Sequence, residues 1–256
     1  MDTVPVFGTP LSTRPARRRL RDLLLRASDR DDLQAFREDL ARRYLAGDGI
    51  EIGALHRSLR VPLSARVRYV DVMSRDHLLS TYSPAVYGNP KWVVETDVID
   101  NGERLETFED ESVDFVIANH VLEHTEDPIA ALHHLVRVIR PGGELFLTLP
   151  DARYTFDALR ERTTVEHLLR DHRDGPEVSR QTHYREWAVV ECLPEEEIPA
   201  RVEEFTREGT RHHFHVWELE GFLDFLGAVS LPARLVHAQT HADEFAVILR
   251  REPSRA

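Results

Sequence analysis

The chain has 256 residues, of which 41 % are hydrophobic and 30 % charged, the balance of a globular protein able to bury its own core. A single cysteine, Cys192, excludes a disulfide framework and any centre built from several cysteines, and a net charge of −12 argues against nucleic acid as a partner. The start carries no signal-peptide pattern and no apolar run approaches the ~20 residues of a membrane helix, so a cytoplasmic protein without a membrane partner is expected.

Residues 1–13 read as an unpatterned tail. Over 15–46 Leu20, Leu23, Leu24 and Ala27, then Leu33, Phe36, Leu40 and Tyr44, recur at spacings of three and four, which predicts two helices broken at Ser28-Asp29 and closed by Gly47-Asp48-Gly49. Short runs rich in Val, Ile and Phe follow at 50–52, 67–70, 92–96, 113–118 and 144–149, and predict five strands. Between the last two, Asp127 as N-cap and Pro128 at the first position open a helix over 128–139, with Ile129, Leu132, Leu135, Val136 and Ile139 on its apolar stripe. Apolar strands separated by helices imply a parallel sheet covered on both faces. The rhythm breaks over 151–214, where helices are predicted at 163–173 and 194–208. It resumes with a helix at 218–226 and strands at 234–238 and 244–249 joined by a hairpin loop. The expected division is therefore 1–46 as tail and helical lid, 47–150 as a ligand-binding core, 151–214 as a helical insertion and 215–256 as the end of the core.

Polar residues mark the predicted strand ends. Glu51 and Gly53 close strand one, within Gly49-Ile50-Glu51-Ile52-Gly53-Ala54-Leu55. Asp71 closes strand two, twenty residues after Glu51. Asp97 closes strand three, and Asn119 with His120 closes strand four. Strand ends lie along one edge of a parallel sheet, where nucleotide-like ligands bind, and an acid at the place of Asp71 suits two ribose hydroxyls. The G-x-G-x-x-G dinucleotide pattern is missing: Leu55 and Arg57 stand at the later glycine positions.

Residues 113–128 (VDFVIANHVLEHTEDP) and 135–145 (LVRVIRPGGEL) resemble the class I S-adenosylmethionine-dependent methyltransferases, nearest to their small-molecule, ubiquinone-biosynthesis-like branch. The resemblance covers residues 47–150 by motif and 215–250 by pattern. It implies a Rossmann-like seven-stranded, mostly parallel sheet with an antiparallel last strand, N-terminal helices and a helical insertion after strand five. It also implies S-adenosylmethionine as cofactor: Glu51, Gly53 and Ala54 near its methionine end, Asp71 on the ribose, Val72 beside the adenine, Asp97 and the Val98 amide on the adenine edge, Asn119 and His120 by the methionine portion. The glycine-poor loop after Gly53 departs from the family. Residues 149–157 (LPDARYTFD), 163–168 (TTVEHL) and 212–217 (HHFHVW) are similar to bacterial methyltransferases found with glycan or secondary-metabolite genes, which implies a sugar-like or antibiotic-like acceptor.

Transfer to a hydroxyl gains from a general base, and histidine is the usual one near neutral pH. Position selects four: His120 past the fourth strand, His124 one turn on, and His213 and His215, which precede a helix that must start at the same edge. Alternation turns His213 and His215 to one side, but no third ligand accompanies them and no metal is expected. The expected reaction is O-methylation of a small molecule, with the enzyme in the EC 2.1.1 class and a homodimer compatible with the sequence. An amine acceptor, a nicotinamide oxidoreductase and a non-catalytic cofactor-binding subunit docking through the Arg-rich front are the alternatives.

Overall fold

The computed structural model describes residues 30–84 and 88–253. The tail and the helix predicted before Ser28 lie outside the described residues. The second predicted helix is α1 (Arg30–Tyr44), which carries Arg42 and Arg43 in its last turn, where they complement the helix dipole. It buries Leu40 and Ala41 against the sheet.

Seven strands form one sheet: β1 (Gly47–Ile52), β2 (Ala65–Asp71), β3 (Val98–Ile99), β4 (Val113–Asn119), β5 (Ile139–Pro150), β6 (Ala233–His241) and β7 (Glu244–Arg251), in the order β3-β2-β1-β4-β5-β7-β6. The first five are parallel, and β7 runs antiparallel to both neighbours. The expected fold is present, last strand included. Period-two alternation builds both faces at once. In β4, Val116 and Ala118 join the core cluster under α3 (Pro128–Val138), while Phe115 and Ile117 join the one under α1. The α3 helix starts as expected, with Asp127 accepting from Ala130 N at 2.9 Å and Pro128 in the first turn. Its Ile129, Leu132, Leu135 and Val136 are buried, each stabilising by roughly 1.5–3 kcal/mol.

Two predicted elements are corrected. Residues 92–96 are not a strand. Asn89 caps a short 3-10 turn, Pro90–Trp92, by accepting from Lys91 N, and the strand comes later as the two-residue β3. The insertion holds three helices rather than two: α4 (Val165–Asp174), α5 (Glu177–Val190) and α6 (Ile198–Glu208). The α5 helix mixes polar and apolar residues around its circumference and buries few of them, so periodicity signals it weakly. A small core of Tyr184, Ala188, Ile198, Phe205 and Phe214 holds the insertion together. The chain then returns through α7 (Leu219–Ala228), β6 and β7; α2 (Arg75–Thr81) follows β2, capped by Ser74.

From β1 the chain moves to β2 on one side, whereas β4 leads to β5 on the other. The crevice between the carboxyl ends of β1 and β4 is thus the topological switch point, where open α/β sheets bind ligands. Ile52 pairs with Ala118, so Gly53 and Asn119 flank it.

Candidate active site

One side of the crevice begins at Gly53. Its φ is +63°, and a Cβ there would meet only Val121 Cγ2 at 4.0 Å, so the backbone is open to a ligand. Glu51 does not face that space. It is 1 % exposed, and both carboxylate oxygens lie 3.0 Å from the Leu59 N–H, with Asn119 Nδ2 at 3.4 Å. Burial pushes its pKa up to about 7 against those donors and Arg37. Glu51 therefore shapes the loop rather than offering a free carboxylate. The glycine-poor loop closes by a turn from Ala54 O to Arg57 N, by Leu55 in the left-handed region at φ +44°, and by the Glu51–Leu59 bond.

At the β2 tip, burial raises the Asp71 pKa, and the N–H groups of Val72 and Met73 oppose the shift. Val72 and Ile99 stand 57 % and 59 % exposed at the tips of β2 and β3, two apolar side chains turned to solvent on either side of Asp71. Asp97 is corrected: it precedes β3 instead of ending it, and its carboxylate accepts from Tyr69 N at 2.8 Å, two residues below the β2 tip. Val98 pairs with Val70 and packs on the core, so the position level with Asp71 is Ile99. Asp100 follows, its carboxylate accepting from the N–H groups of Asn101, Glu106 and Thr107 and from the Thr107 hydroxyl.

On the other side, Asn119 accepts from Thr148 Oγ1 at 3.0 Å. His120 adopts φ +52° just past the β4 tip, held by its N–H to Thr148 O. Its Nε2 lies 2.9 Å from Glu244 Oε2 and its Nδ1 3.4 Å from Glu123 Oε1. Glu244 starts β7, whose reversed direction brings its first residue to this edge, opposite Pro150. Arg37 from α1 donates to both Glu244 oxygens, through Nε at 2.9 Å and through Nη2. Burial alone would raise the Glu244 pKa, but Arg37 and His120 hold it below the usual carboxylate value. Arg37 and Glu244 carry no sequence signal beyond an arginine in an Arg-rich helix and an acid after a turn; only the tertiary fold joins them.

The 212–217 stretch lies over the loop after β4, with Phe214 N donating to Glu123 O at 2.8 Å. His213 and His215 do not form a pair. His213 Nδ1 lies 2.6 Å from Asp157 Oδ2, and its ring packs 4.7 Å from that of His124. His215 joins His183 and His167 instead, its Nε2 3.3 Å from Glu126 O. Groups of three that could hold an ion, unseen in the sequence, occur among the described residues: Glu123, His124 and His213 converge at one place, and His167, His183 and His215 at another. Burial pushes the His124 pKa down to about 3, His183 to about 3 and His215 well below its ordinary value, keeping these imidazoles neutral. Of the four histidines singled out by sequence, His120, His124 and His213 are gathered around Glu123, and His215 belongs to the second group. His120 keeps 38 % of its side chain exposed, against 10 % for His213. A cavity of about 510 Å³ opens beside the second group, lined by Arg162, Arg170, Arg173, Glu166 and Glu186.

Among the described residues no helix is long and apolar enough to cross a membrane. No curated protein matches the chain. Among solved structures the chain is similar to a protein of Pyrococcus horikoshii OT3 (16 % identity, 96 % of this chain and 97 % of that one, TM-score 0.48). It is also similar to a SAM-dependent methyltransferase from Aquifex aeolicus (12 %, 91 % and 96 %, TM-score 0.45). It spans only 50 % of the CurJ carbon methyltransferase, at 13 % identity, 83 % of this chain and TM-score 0.44. The family described as "Methyltransferase domain" matches residues 47–147, so this part of the chain is similar to that domain, and the similarity supports S-adenosylmethionine as the cofactor.

Proposed function

We propose that the protein transfers a methyl group to a hydroxyl of a small polar molecule, sugar-like or of the secondary-metabolite kind, with His120 as the general base. The observation that carries this reading is the His120–Glu244–Arg37 chain at the switch point. Glu244 is kept ionised by Arg37, so it accepts the His120 Nε2–H. That fixes the tautomer and leaves Nδ1 with a lone pair. When an acceptor proton arrives at Nδ1, the imidazolium forms beside a buried carboxylate that stabilises it, the logic of a carboxylate–histidine dyad.

The crevice fits the cofactor on its own features. Gly53 leaves backbone room, Asp71 has acceptor capacity left for hydroxyls, and Val72 with Ile99 offers the apolar surface an adenine covers. When bound there, S-adenosylmethionine supplies an electrophilic methyl group on a sulfonium. The chain's own residues do the rest: Asp71 and Gly53 orient the donor, and α1 and the insertion help keep water from the reacting atoms. The polar acceptor is supported by the cover above the edge, whose cavity is walled by arginines and carboxylates.

The test pairs a binding and a rate measurement. Calorimetry with S-adenosylmethionine and with NAD, followed by transfer assays on panels of hydroxyl and amine acceptors, should give binding of the former alone and methylation of hydroxyls. Binding without transfer to any acceptor would favour a non-catalytic subunit, and amine methylation with a dispensable His120 would move the acceptor class.

A further inference from the structure

Glu123 is 1 % exposed, and among the described residues neither of its carboxylate oxygens has a hydrogen-bond partner, the nearest approach being His120 Nδ1 at 3.4 Å. One ligand atom each from Glu123, His124 and His213 lies within 4.8 Å of the other two. The hydrogen bonds around these imidazoles fix what they point inward. His213 gives its Nδ1–H to Asp157, 2.6 Å away, which His213 and Arg160 keep ionised against the effect of burial. Its remaining nitrogen, Nε2, is the one not engaged by Asp157. His124 bonds the backbone of His212 through one ring nitrogen, and burial holds it neutral, so its other nitrogen carries a lone pair. The buried Glu123 oxygens thus face a ring nitrogen of each imidazole at close range without a hydrogen bond, an arrangement that is costly unless something is bound among the three.

The second histidine group differs in this respect. Arg170 Nη2 donates to His167 Nδ1 at 2.8 Å, which forces the proton onto Nε2. That nitrogen faces His183 Nε2 at 3.0 Å and Asp171 Oδ2 at 3.1 Å. His167 thus supplies a proton to this group, although His215 Nδ1 and Asp171 Oδ2 are left without a hydrogen bond.

We propose that Glu123, His124 and His213 bind a divalent transition-metal ion of the zinc class. Two neutral imidazoles and one carboxylate form a donor set for such ions with coordination positions left open. Asp157 on the far nitrogen of His213 is the outer carboxylate that orients a ligating histidine and raises its basicity. The Glu123 oxygen is 3.4 Å from His120 Nδ1, so the ion sits beside the base. There it takes the acceptor's hydroxyl oxygen and lowers that hydroxyl's pKa, while His120 receives the proton. This role rests on the function proposed above, whereas the binding rests on the residues alone.

The full-length protein is stripped with a chelator, then titrated with zinc and with cobalt(II), without cofactor or acceptor. One equivalent should bind, and the melting temperature should rise with free metal. Glu123→Gln and His213→Asn should each weaken binding at least 100-fold, and Asp157→Asn by about 10–100-fold, the range for an outer-sphere partner. His167→Gln should bind as the wild type does. No metal on the wild type, or full retention in both Glu123→Gln and His213→Asn, overturns the proposal; loss in His167→Gln alone moves the ion to the other group and overturns it as well. Should the ligand variants fold poorly, X-ray absorption of the cobalt wild type decides: two imidazoles with a carboxylate support the site, and three imidazoles or sulfur ligation contradict it. S-adenosylmethionine affinity measured on the same preparation keeps a failed metal site distinct from a failed methyltransferase reading.

Discussion

The two sides of the crevice are built on different principles. The side proposed for the cofactor, at the tips of β1, β2 and β3, uses backbone and short side chains next to one another along the sheet edge: Gly53, Asp71, Val72 and Ile99. The side proposed for the acceptor uses long-range pairs of charged and titratable groups. Glu244 reaches His120 across 124 residues of chain and Arg37 across 207, and His213 reaches Asp157 across 56. The first side is set by the sheet alone. The second exists only when the N-terminal helix, the insertion and the last hairpin have all docked, so substitutions there should disturb rate and stability together.

The largest expected effect is on turnover. His120→Ala removes the proposed base and should lower the rate by about two to four orders of magnitude, with S-adenosylmethionine affinity nearly unchanged. Single-turnover assays with saturating cofactor check this. A wild-type rate in His120→Ala would erase the division of labour between the two sides.

Arg37→Ala strips the buried Glu244 of its main cation. Breaking a buried pair costs ~3–5 kcal/mol, and the lower end is expected because His120 still donates to Glu244. Denaturant melts measure it. The sign with pH follows from the lowered Glu244 pKa: the stabilisation is present above the ordinary carboxylate range and is lost as pH falls through the folded value. The variant should therefore lose its deficit at acid pH, and a deficit independent of pH would break the assignment.

The same contrast explains what the sequence makes legible. The seven-stranded, mostly parallel sheet, the antiparallel β7 and the capped α3 follow from periodicity, Asp127-Pro128 and the resemblance in residues 113–145, whereas the strand order does not. Asp71, Gly53 and His120 are readable because a strand end fixes where the next residue goes. Asp97 was misplaced because a Pro-capped turn mimics a strand over 92–96 and displaces β3 by a few residues, which moves the tip to Ile99. Glu51 reads as a ligand contact, but a buried carboxylate near a backbone N–H turns inward. Arg37, Asp157 and Glu244 have no local pattern, since their partners are set by how distant elements dock. The alternation in His213-Phe214-His215 suggested a pair, yet Glu123 and Glu126 draw backbone and ring to different neighbours and split it.

Glu51 gives a third way to probe the cofactor side. Its pKa rises from 4.5 to about 7 on burial, so the folded state favours the protonated acid. Stability it permits is full below pH 4.5 and declines as pH rises through 7, by about 3 kcal/mol from the linkage of ~1.4 kcal/mol per pH unit. Glu51→Gln keeps an oxygen for the Leu59 N–H and removes the titration. Its stability should change less than the wild type's between pH 4.5 and 7.5, by thermal melts across that range. Parallel curves for the two proteins would mean that Glu51 is ionised and paired in the folded state.

The smallest effect tests whether the cofactor side works without the acceptor side. Asp71 sits at the β2 tip with apolar Val72 and Ile99 around it, and no arginine or histidine network among the described residues supports it. Two ribose hydroxyls donating to its carboxylate make charged hydrogen bonds, each worth roughly 1.5–3 kcal/mol. Asp71→Ala should therefore raise the dissociation constant for S-adenosylmethionine at least tenfold by calorimetry. Because the side chain is half-exposed and touches none of the long-range pairs, the melting temperature of the free protein should hold within a few degrees. Combined with His120→Ala, the two losses should add, since the residues share no partner across the crevice. Strong non-additivity in the double variant would show that donor and acceptor sides are coupled, and the unchanged affinity of a single Asp71→Ala variant would move the ribose contact to Asp100, the next carboxylate along the edge.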